Sequence, residues 1–374
     1  MRVALELQPC CGNRSGIGMY TYELAKRMKD GNGLEFCGNL FSFRGREESS
    51  DALQGVAMPV NFCRLMPYGV YRRIWKYLPV SYGHLFPKAD LNVFFNFIVP
   101  PRVTGRVITT IYDMTYLRFP ETMNQANLER IKAGIRYSVE RSDHIVTISE
   151  FSKREICTLL NVPEDKVSIV YSAPAQFGPA DDWDAVAEKF HISGQYLLYV
   201  GTIEPRKNLV RLIGAFDRLK KEYNIPHQLV LAGGNGWQNE EIYRAAQQAA
   251  SRDDIVFTGY ISQGEKNALY QNASLFAFPS LYEGFGMPPL EAMHFDCPVV
   301  CADAASLPEV VADAARLVNP LDEADIAQGL LQVLSDGEYA ADLIRKGRLQ
   351  KNKFTWEDSA RRMTQLCERV LEKA

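Results

Sequence analysis

The chain predicts an α/β fold of two doubly wound parallel sheets whose domains face each other across a cleft. Three observations carry the prediction. Short apolar runs alternate with helical patterns along the whole length, the signature of parallel strands covered by helices on both faces. At 374 residues there is room for two domains of ordinary size. A stretch rich in Pro, Gly and Asp, Ala175 to Asp184, reads as the linker between two such sets. The expected domains are 1–175 and 185–356.

In the first set, strands are expected at 2–7, 34–42, 91–95, 106–111, 144–148 and 166–171, and helices at 17–30, 121–141 and 150–160. In the second set, Tyr196 to Val200 is a buried strand ended by Gly201, and Leu209 to Tyr223 is an amphipathic helix. Gln228 to Ala232 is the next strand, stopped by Gly233-Gly234. Ile255 to Phe257, Leu275 to Phe278 and Pro298 to Val300 follow as strands, and Trp356 anchors a final helix over 357–373.

Composition narrows the class. Apolar residues make up 47% and charged residues 23%, as in an ordinary soluble enzyme. A net charge of −3 speaks against bulk nucleic-acid binding. Eight cysteines without a CxxC pair, and only five histidines, argue against a zinc site and for reduced cytosolic thiols. The N-terminus enters a strand directly at Arg2 to Leu7, so no signal peptide is expected, and no apolar run is long enough to span a bilayer.

The most informative segment is Glu283-Gly284-Phe285-Gly286-Met287-Pro288-Pro289-Leu290-Glu291. Its glycines permit close backbone approach to a ligand, and its prolines suit the first turn of a helix. Amides at a helix start attract an anion such as a diphosphate. Glu283 before the loop and Glu291 inside the helix can both accept hydrogen bonds from hydroxyls beside that anion. The structural alternative is a strand-to-helix turn with surface glutamates.

Other segments add to this. Arg206 and Lys207, after the strand 196–200 and just before a helix, offer a guanidinium fork and a point charge to phosphate oxygens. Ser15-Gly16-Ile17-Gly18 between a strand and a helix makes a phosphate cradle or only a tight turn, since a third glycine is missing. Asp113, at the end of the strand 107–111, reads first as a cap and second as a sugar ligand. Ser149 reads first as a helix N-cap, with Ser152 in the first turn. His294 reads as a helix-surface residue. Arg64 to Tyr77 mixes Arg64, Arg72, Arg73 and Lys76 with Tyr68, Tyr71, Trp75 and Tyr77. That mixture suits an anionic membrane surface, or an ordinary surface helix with its aromatics turned inward.

Together, Gly16-Ile17-Gly18, Ser149-Glu150-Phe151-Ser152, Gly201-Thr202-Ile203-Glu204-Pro205-Arg206-Lys207-Asn208-Leu209 and the Glu283 to Glu291 segment resemble the retaining glycosyltransferases of family four, which have the two-Rossmann GT-B fold. The resemblance covers essentially the whole chain and leans toward mannosyltransferases of O-antigen assembly. It implies that Arg206 and Lys207 neutralise the donor diphosphate, and that Glu283 contacts the transferred sugar with the amides of Gly284, Phe285 and Gly286 beside it. It further implies that Glu291 holds the ribose, that Gly201 belongs to the donor loop, and that Gly259, Tyr260 and Ile261 lie by the base. Gly16 and Gly18 would let the first domain close over the phosphates, and the last helix, to residue 374, would cross back to that domain. Family members often carry His-Asp where this chain has Tyr112-Asp113, so Asp113 keeps the catalytic place the resemblance implies, while Tyr112, on the acceptor side with Ser149, departs from the pattern.

The expected activity is hexose transfer to a glycan or lipid-linked acceptor in surface polysaccharide assembly, with mannose from GDP-mannose favoured and a UDP-sugar the other option. Neither a cofactor nor a metal is expected, because Arg206 and Lys207 take the metal's place and no carboxylate pair has metal-ligand spacing. The expected location is cytoplasmic, with peripheral contact at the inner face of the membrane through 64–77. A non-catalytic nucleotide-sugar-binding homologue is the alternative. An NAD enzyme is disfavoured because neither half has a full three-glycine fingerprint.

Overall fold

The structure, a computed structural model, describes residues 1–12, 16–43, 52–75, 80–174 and 177–372. Ser15, Lys76, Tyr77 and Ala175 of the segments singled out above therefore lie outside the described residues. The chain forms two compact units. The first comprises Met1–Tyr116, Gln125–Ala173 and Thr355–Ala374; the second comprises Leu117–Asn124 and Pro174–Phe354.

The first unit is built on seven parallel strands: β1 (Arg2–Glu6), β2 (Glu35–Phe41), β3 (Val60–Cys63), β4 (Leu91–Phe94), β5 (Arg106–Thr110), β6 (His144–Thr147) and β7 (Val167–Ile169). Their order is β3-β2-β1-β4-β5-β6-β7. The second unit holds β8 (Tyr196–Val200), β9 (Gln228–Ala232), β10 (Ile255–Gly259), β11 (Leu275–Phe278), β12 (Val299–Ala302) and β13 (Ala315–Val318), in the order β10-β9-β8-β11-β12-β13. Central strands such as β8 (YLLYV) and β11 (LFAF) are buried at every position, because helices cover both faces of a parallel sheet.

The helices that matter below are α1 (Gly16–Arg27), α2 (Tyr68–Ile74), α3 (Gln125–Arg141), α4 (Glu150–Leu160), α5 (Leu209–Tyr223), α6 (Gln263–Asn272), α7 (Met287–His294) and α8 (Trp356–Glu372). In the first unit α8 packs on α1. There the Trp356 ring meets Tyr20 edge-on at 5.8 Å, Arg27 pairs with Glu357 at 2.8 Å, and the Ser359 hydroxyl donates to the Tyr171 carbonyl at 2.7 Å.

Three expectations need correction. β3 and β13 were not foreseen: both are edge strands with half-buried positions, so neither is a clean apolar run. The helix expected from 121 begins at Gln125, after a short 3₁₀ turn at Pro120–Thr122. The linker ends at Asp182, whose side chain accepts from the Ala185 amide and caps the helix Trp183–Phe190. Among the described residues no helix is long and apolar enough to cross a membrane.

Candidate active site

In the second sheet the strand order reverses between β8 and β11. Helices from the two halves then leave in opposite directions, and the crevice at the carboxyl ends of these strands is where open α/β sheets take ligands. Three loops meet here, following β8, β11 and β12.

The first carries Glu204, Arg206 and Lys207 in a 3₁₀ turn at Pro205–Lys207, closed by Asn208 in the left-handed conformation (φ 63°). Asn208 holds that geometry because its amide donates to the carbonyls of Pro279 at 3.0 Å and Pro320 at 2.7 Å. The second loop carries Ser280 and Glu283. The two loops are joined by charge. Lys207 Nζ lies 2.6 Å from Glu283 Oε1, and Arg206 lies 3.1 Å from Glu283 Oε2 and 2.6 Å from Glu204. Ser280 Oγ donates to Glu283 Oε1 at 2.6 Å, and the Arg206 guanidinium donates to the Tyr282 carbonyl at 2.5 Å. The Lys207 ammonium also stands 5.4 Å from the centre of the Phe278 ring.

The cluster is mostly buried: side-chain exposure is 11% for Lys207, 13% for Glu283 and 16% for Arg206. Burial alone would raise the Glu283 carboxyl, but the charges of Lys207 and Arg206 and the hydrogen bonds of Lys207 and Ser280 hold it at about 2. The Lys207 ammonium is lowered, by burial first and by the neighbouring Arg206 charge, against the opposing pull of Glu283. Two carboxylates and two cations cancel, so the site is electrically balanced in itself.

The third loop fixes the turn. The Ser306 hydroxyl reaches the carbonyls of Glu283 at 2.9 Å and Phe285 at 2.7 Å. Gly286 has φ 112°, and a Cβ there would stand 2.5 Å from Leu307, so only glycine fits. The chain then enters α7 with Pro288 and Pro289 in its first turn. One turn in, Glu291 accepts from Lys266 Nζ at both oxygens, 2.9 and 3.0 Å, and from the Tyr270 hydroxyl at 3.2 Å. Lys266 and Tyr270 are successive-turn residues of α6, which starts at Ser262 with a reciprocal capping box to Glu265.

The structure thus gathers Gly201, Arg206, Lys207, Glu283, Gly284, Phe285 and Gly286 on adjoining loops, with Glu291 behind them. Tyr260, 86% exposed, and Ile261 follow β10 and lead into α6. Gly16, Gly18, Tyr112, Asp113 and Ser149 belong to the first unit. Gly16 and Gly18 open α1. Asp113 accepts from the Thr115 amide at 2.8 Å, an Asx-type turn, and Ser149 accepts from the Ser152 amide at 3.0 Å as the N-cap of α4. Tyr112 is buried, its ring 5.4 Å from Tyr20 and 5.7 Å from Phe97. His294 stacks on Phe177 at 4.2 Å. Ser280, Ser306, Lys266 and Tyr270 escaped the sequence reading, because no local pattern marks a partner 25 positions away, as Lys266 is from Glu291. Among the described residues no three His, Cys, Asp or Glu side chains converge in a metal-binding group.

Residues 186–350 match the family model described as glycosyl transferases group 1. The chain contains a group 1 glycosyl transferase domain. Among relatives, the O-antigen chain mannosyltransferase B of Escherichia coli is 29% identical over 381 residues, covering 96% of this chain and 97% of that protein. Among solved structures, sucrose-phosphate synthase from Thermosynechococcus elongatus superposes with a TM-score of 0.73 at 18% identity over 100% of both chains. The Anabaena protein HepE, in complex with UDP and glucose, gives 0.70 at 15% identity, over 98% of this chain and 99% of that one. The fold is therefore GT-B, and the chain is a glycosyltransferase.

In this glycosyltransferase Glu283→Gln leaves Lys207 and Arg206 without their shared counter-charge. The depressed carboxyl corresponds to about 3 kcal/mol of stability. Because the folded value lies below the unfolded one, that contribution is present above about pH 4.5 and fades as pH falls toward 2. Denaturant unfolding should show the variant less stable at pH 7, with the gap from wild type narrowing below pH 4.5. If Glu291 holds the donor ribose as the resemblance implies, Lys266→Met should release Glu291 and raise the donor KM about tenfold, or about 1.4 kcal/mol, with kcat little changed. Steady-state kinetics on both constants checks this.

Proposed function

We propose that the chain transfers a hexose from a nucleotide sugar to a glycan or lipid-linked acceptor in surface polysaccharide assembly, with mannose from GDP-mannose as the first choice. The observation that carries this reading is the placement of Arg206, Lys207 and Glu283 at the strand-order reversal of the second sheet. Two cations held on a rigid loop suit a diphosphate leaving group, and a carboxylate between them suits the hydroxyls of the sugar it carries. Mannose and the O-antigen context are supported by the relative named O-antigen chain mannosyltransferase B, which aligns over nearly its full length. A nucleotide donor is supported by the likeness to the Anabaena protein bound to UDP and glucose.

In this reading Glu291 takes the ribose hydroxyls, with Lys266 orienting its carboxylate, and Tyr260 and Ile261 lie by the base. The backbone of Gly284, Phe285 and Gly286 lines the sugar and phosphates. The acceptor hydroxyl attacks the anomeric carbon on the face from which the diphosphate leaves. The anomeric C–O bond to the diphosphate breaks, and the departing phosphate oxygen receives the hydroxyl proton. Configuration is retained without a carboxylate nucleophile. Arg206 and Lys207 stabilise the charge that grows on the diphosphate, the work a divalent metal does elsewhere, so the reaction is metal-independent.

Thermal unfolding against GDP, UDP, ADP and their sugars tests the donor. GDP-mannose should raise the midpoint most, because a ligand bound only to the native state stabilises by mass action. No shift with any nucleotide would overturn the reading. Slow hydrolysis of GDP-mannose by the purified protein should survive EDTA and fall by at least about 100-fold in Lys207→Ala. Abolition by EDTA with rescue by magnesium would overturn metal independence, and near-wild-type hydrolysis by Lys207→Ala would overturn the site assignment.

A further inference from the structure

Outside this site, the first unit contains a groove of about 700 Å³ between α2 and α3, floored by Ile98, Val99 and Pro101 from the segment after β4. That volume lies within the range of small-molecule sites. Trp75 and Tyr137 form apolar walls, and Arg72, Arg73 and Arg130 supply charge. The aromatics of α2 turn inward: Tyr71 is fully buried, and Tyr68 and Trp75 pack on the core cluster around Phe41 and Phe94.

Among the described residues no carboxylate forms an ion pair with these arginines. Arg130 donates only to neutral groups, the amide oxygens of Asn96 at 3.3 Å and Asn127 at 2.8 Å. Arg72 lies 5.6 Å from the centre of the Tyr68 ring. Glu129, the carboxylate on the groove wall, accepts from Gln125 at 2.9 Å. Burial and the like charge of Arg72 lower the Arg130 guanidinium from its ordinary value. The carboxyl whose field reaches Arg130 is Glu6, and burial pushes it up to about 8 against the Gln8 amide and Arg130 itself. Burial thus disfavours the charged form of Glu6 that would answer Arg130. Two partly buried guanidinium groups on one groove, neither paired with a carboxylate among the described residues, cost energy, and an anion bound between them would relieve it.

We propose that the groove binds one molecule of an anionic amphiphile, with a diphosphate or phosphate head between Arg72 and Arg130 and an apolar chain along Trp75, Ile98 and Tyr137. Guanidinium forks match phosphate oxygens, and the apolar floor asks for more than a bare ion. A flat membrane face could meet Arg73 and Tyr137 at the rim, but not Ile98, which is 9% exposed at the bottom. The inference concerns the first unit alone and does not depend on the donor reading.

Titration calorimetry with farnesyl diphosphate below its micellar concentration tests it. Wild type and Lys207→Ala should each bind one molecule in the groove. Arg72→Gln/Arg130→Gln should weaken that binding at least tenfold, Arg72→Lys/Arg130→Lys should recover part of it, and Ala133→Trp, which fills the groove from α3, should abolish it. Inorganic diphosphate and farnesol should each bind at least tenfold more weakly than the joined molecule. Thermal midpoints near wild type show that the variants are folded, and Ala133→Trp decides the matter if the arginine variants are not. The proposal is overturned if wild type binds no farnesyl diphosphate, if Ala133→Trp binds it within twofold of wild type, or if only Lys207→Ala loses it. Binding to phosphatidylglycerol vesicles without binding to the monomeric amphiphile would overturn it in favour of a membrane surface.

Discussion

The structure of the second unit turns on one constraint: Glu283, Lys207 and Arg206 are taken out of water together, and none can be there without the others. An ammonium and a carboxylate at 2.6 Å, with 11% and 13% of their side chains exposed, pay a desolvation penalty that only their mutual attraction and further hydrogen bonds offset. Those further bonds come from Ser280 and the Tyr282 carbonyl, and Glu204 takes the second face of Arg206. The loops after β8 and β11 are thereby fixed to each other. A buried ion cluster is a poor way to gain stability, since apolar residues of the same volume would do as well or better. Its presence at a sheet's ligand crevice is what a functional reading explains and a purely structural one does not.

The same balance governs ligand binding. Because Glu283 neutralises the cations, they keep their positions with no anion bound, which is preorganisation in the electrostatic sense. In the proposed function an arriving diphosphate would not need to assemble the cluster; it would have to share it. Glu283 then has acceptor capacity left for hydroxyls, as a carboxylate with two oxygens and several lone-pair directions. Behind it, α7 holds Glu291 in a second, separate cage made by Lys266 and Tyr270. The two glutamates are eight positions apart in sequence and serve two distinct environments, because the Gly286 turn and the paired prolines convert a strand-end loop into a helix within four residues.

Much of this was legible in the sequence. Fully buried parallel strands are short apolar runs, so β8, β9 and β11 could be read residue by residue, while edge strands such as β3 and β13 could not. Glycine at 286 and proline at 288 and 289 announce a turn and a helix start through their own backbone preferences. Arg206, Lys207, Glu283 and Glu291 were singled out by residue type and by their place at the ends of elements. What stayed hidden is pairing across distance. That Lys207 faces Glu283 follows from β8 and β11 being neighbours, and strand order is a property of the whole sheet. Lys266 is invisible for the same reason, and so is the placing of Arg72 and Arg130 on one groove.

Tyr112 is where the sequence departs from the family pattern, and its surroundings show what the departure means chemically. Its ring packs edge-on against Tyr20, which in turn meets Trp356, so the phenol is built into the aromatic core under α1 and α8. Burial, then the neighbouring Tyr20, push its hydroxyl well above the ordinary phenol value. Such a group does not exchange protons near neutral pH, whereas an imidazole in the same position would titrate there. A reaction that needed a base at residue 112 would be lost. The proposed same-face transfer would need none, because the departing phosphate oxygen would take the proton and Arg206 and Lys207 would meet the charge. The substitution is therefore compatible with the proposed chemistry, and it shifts the demands of position 112 from proton transfer to packing.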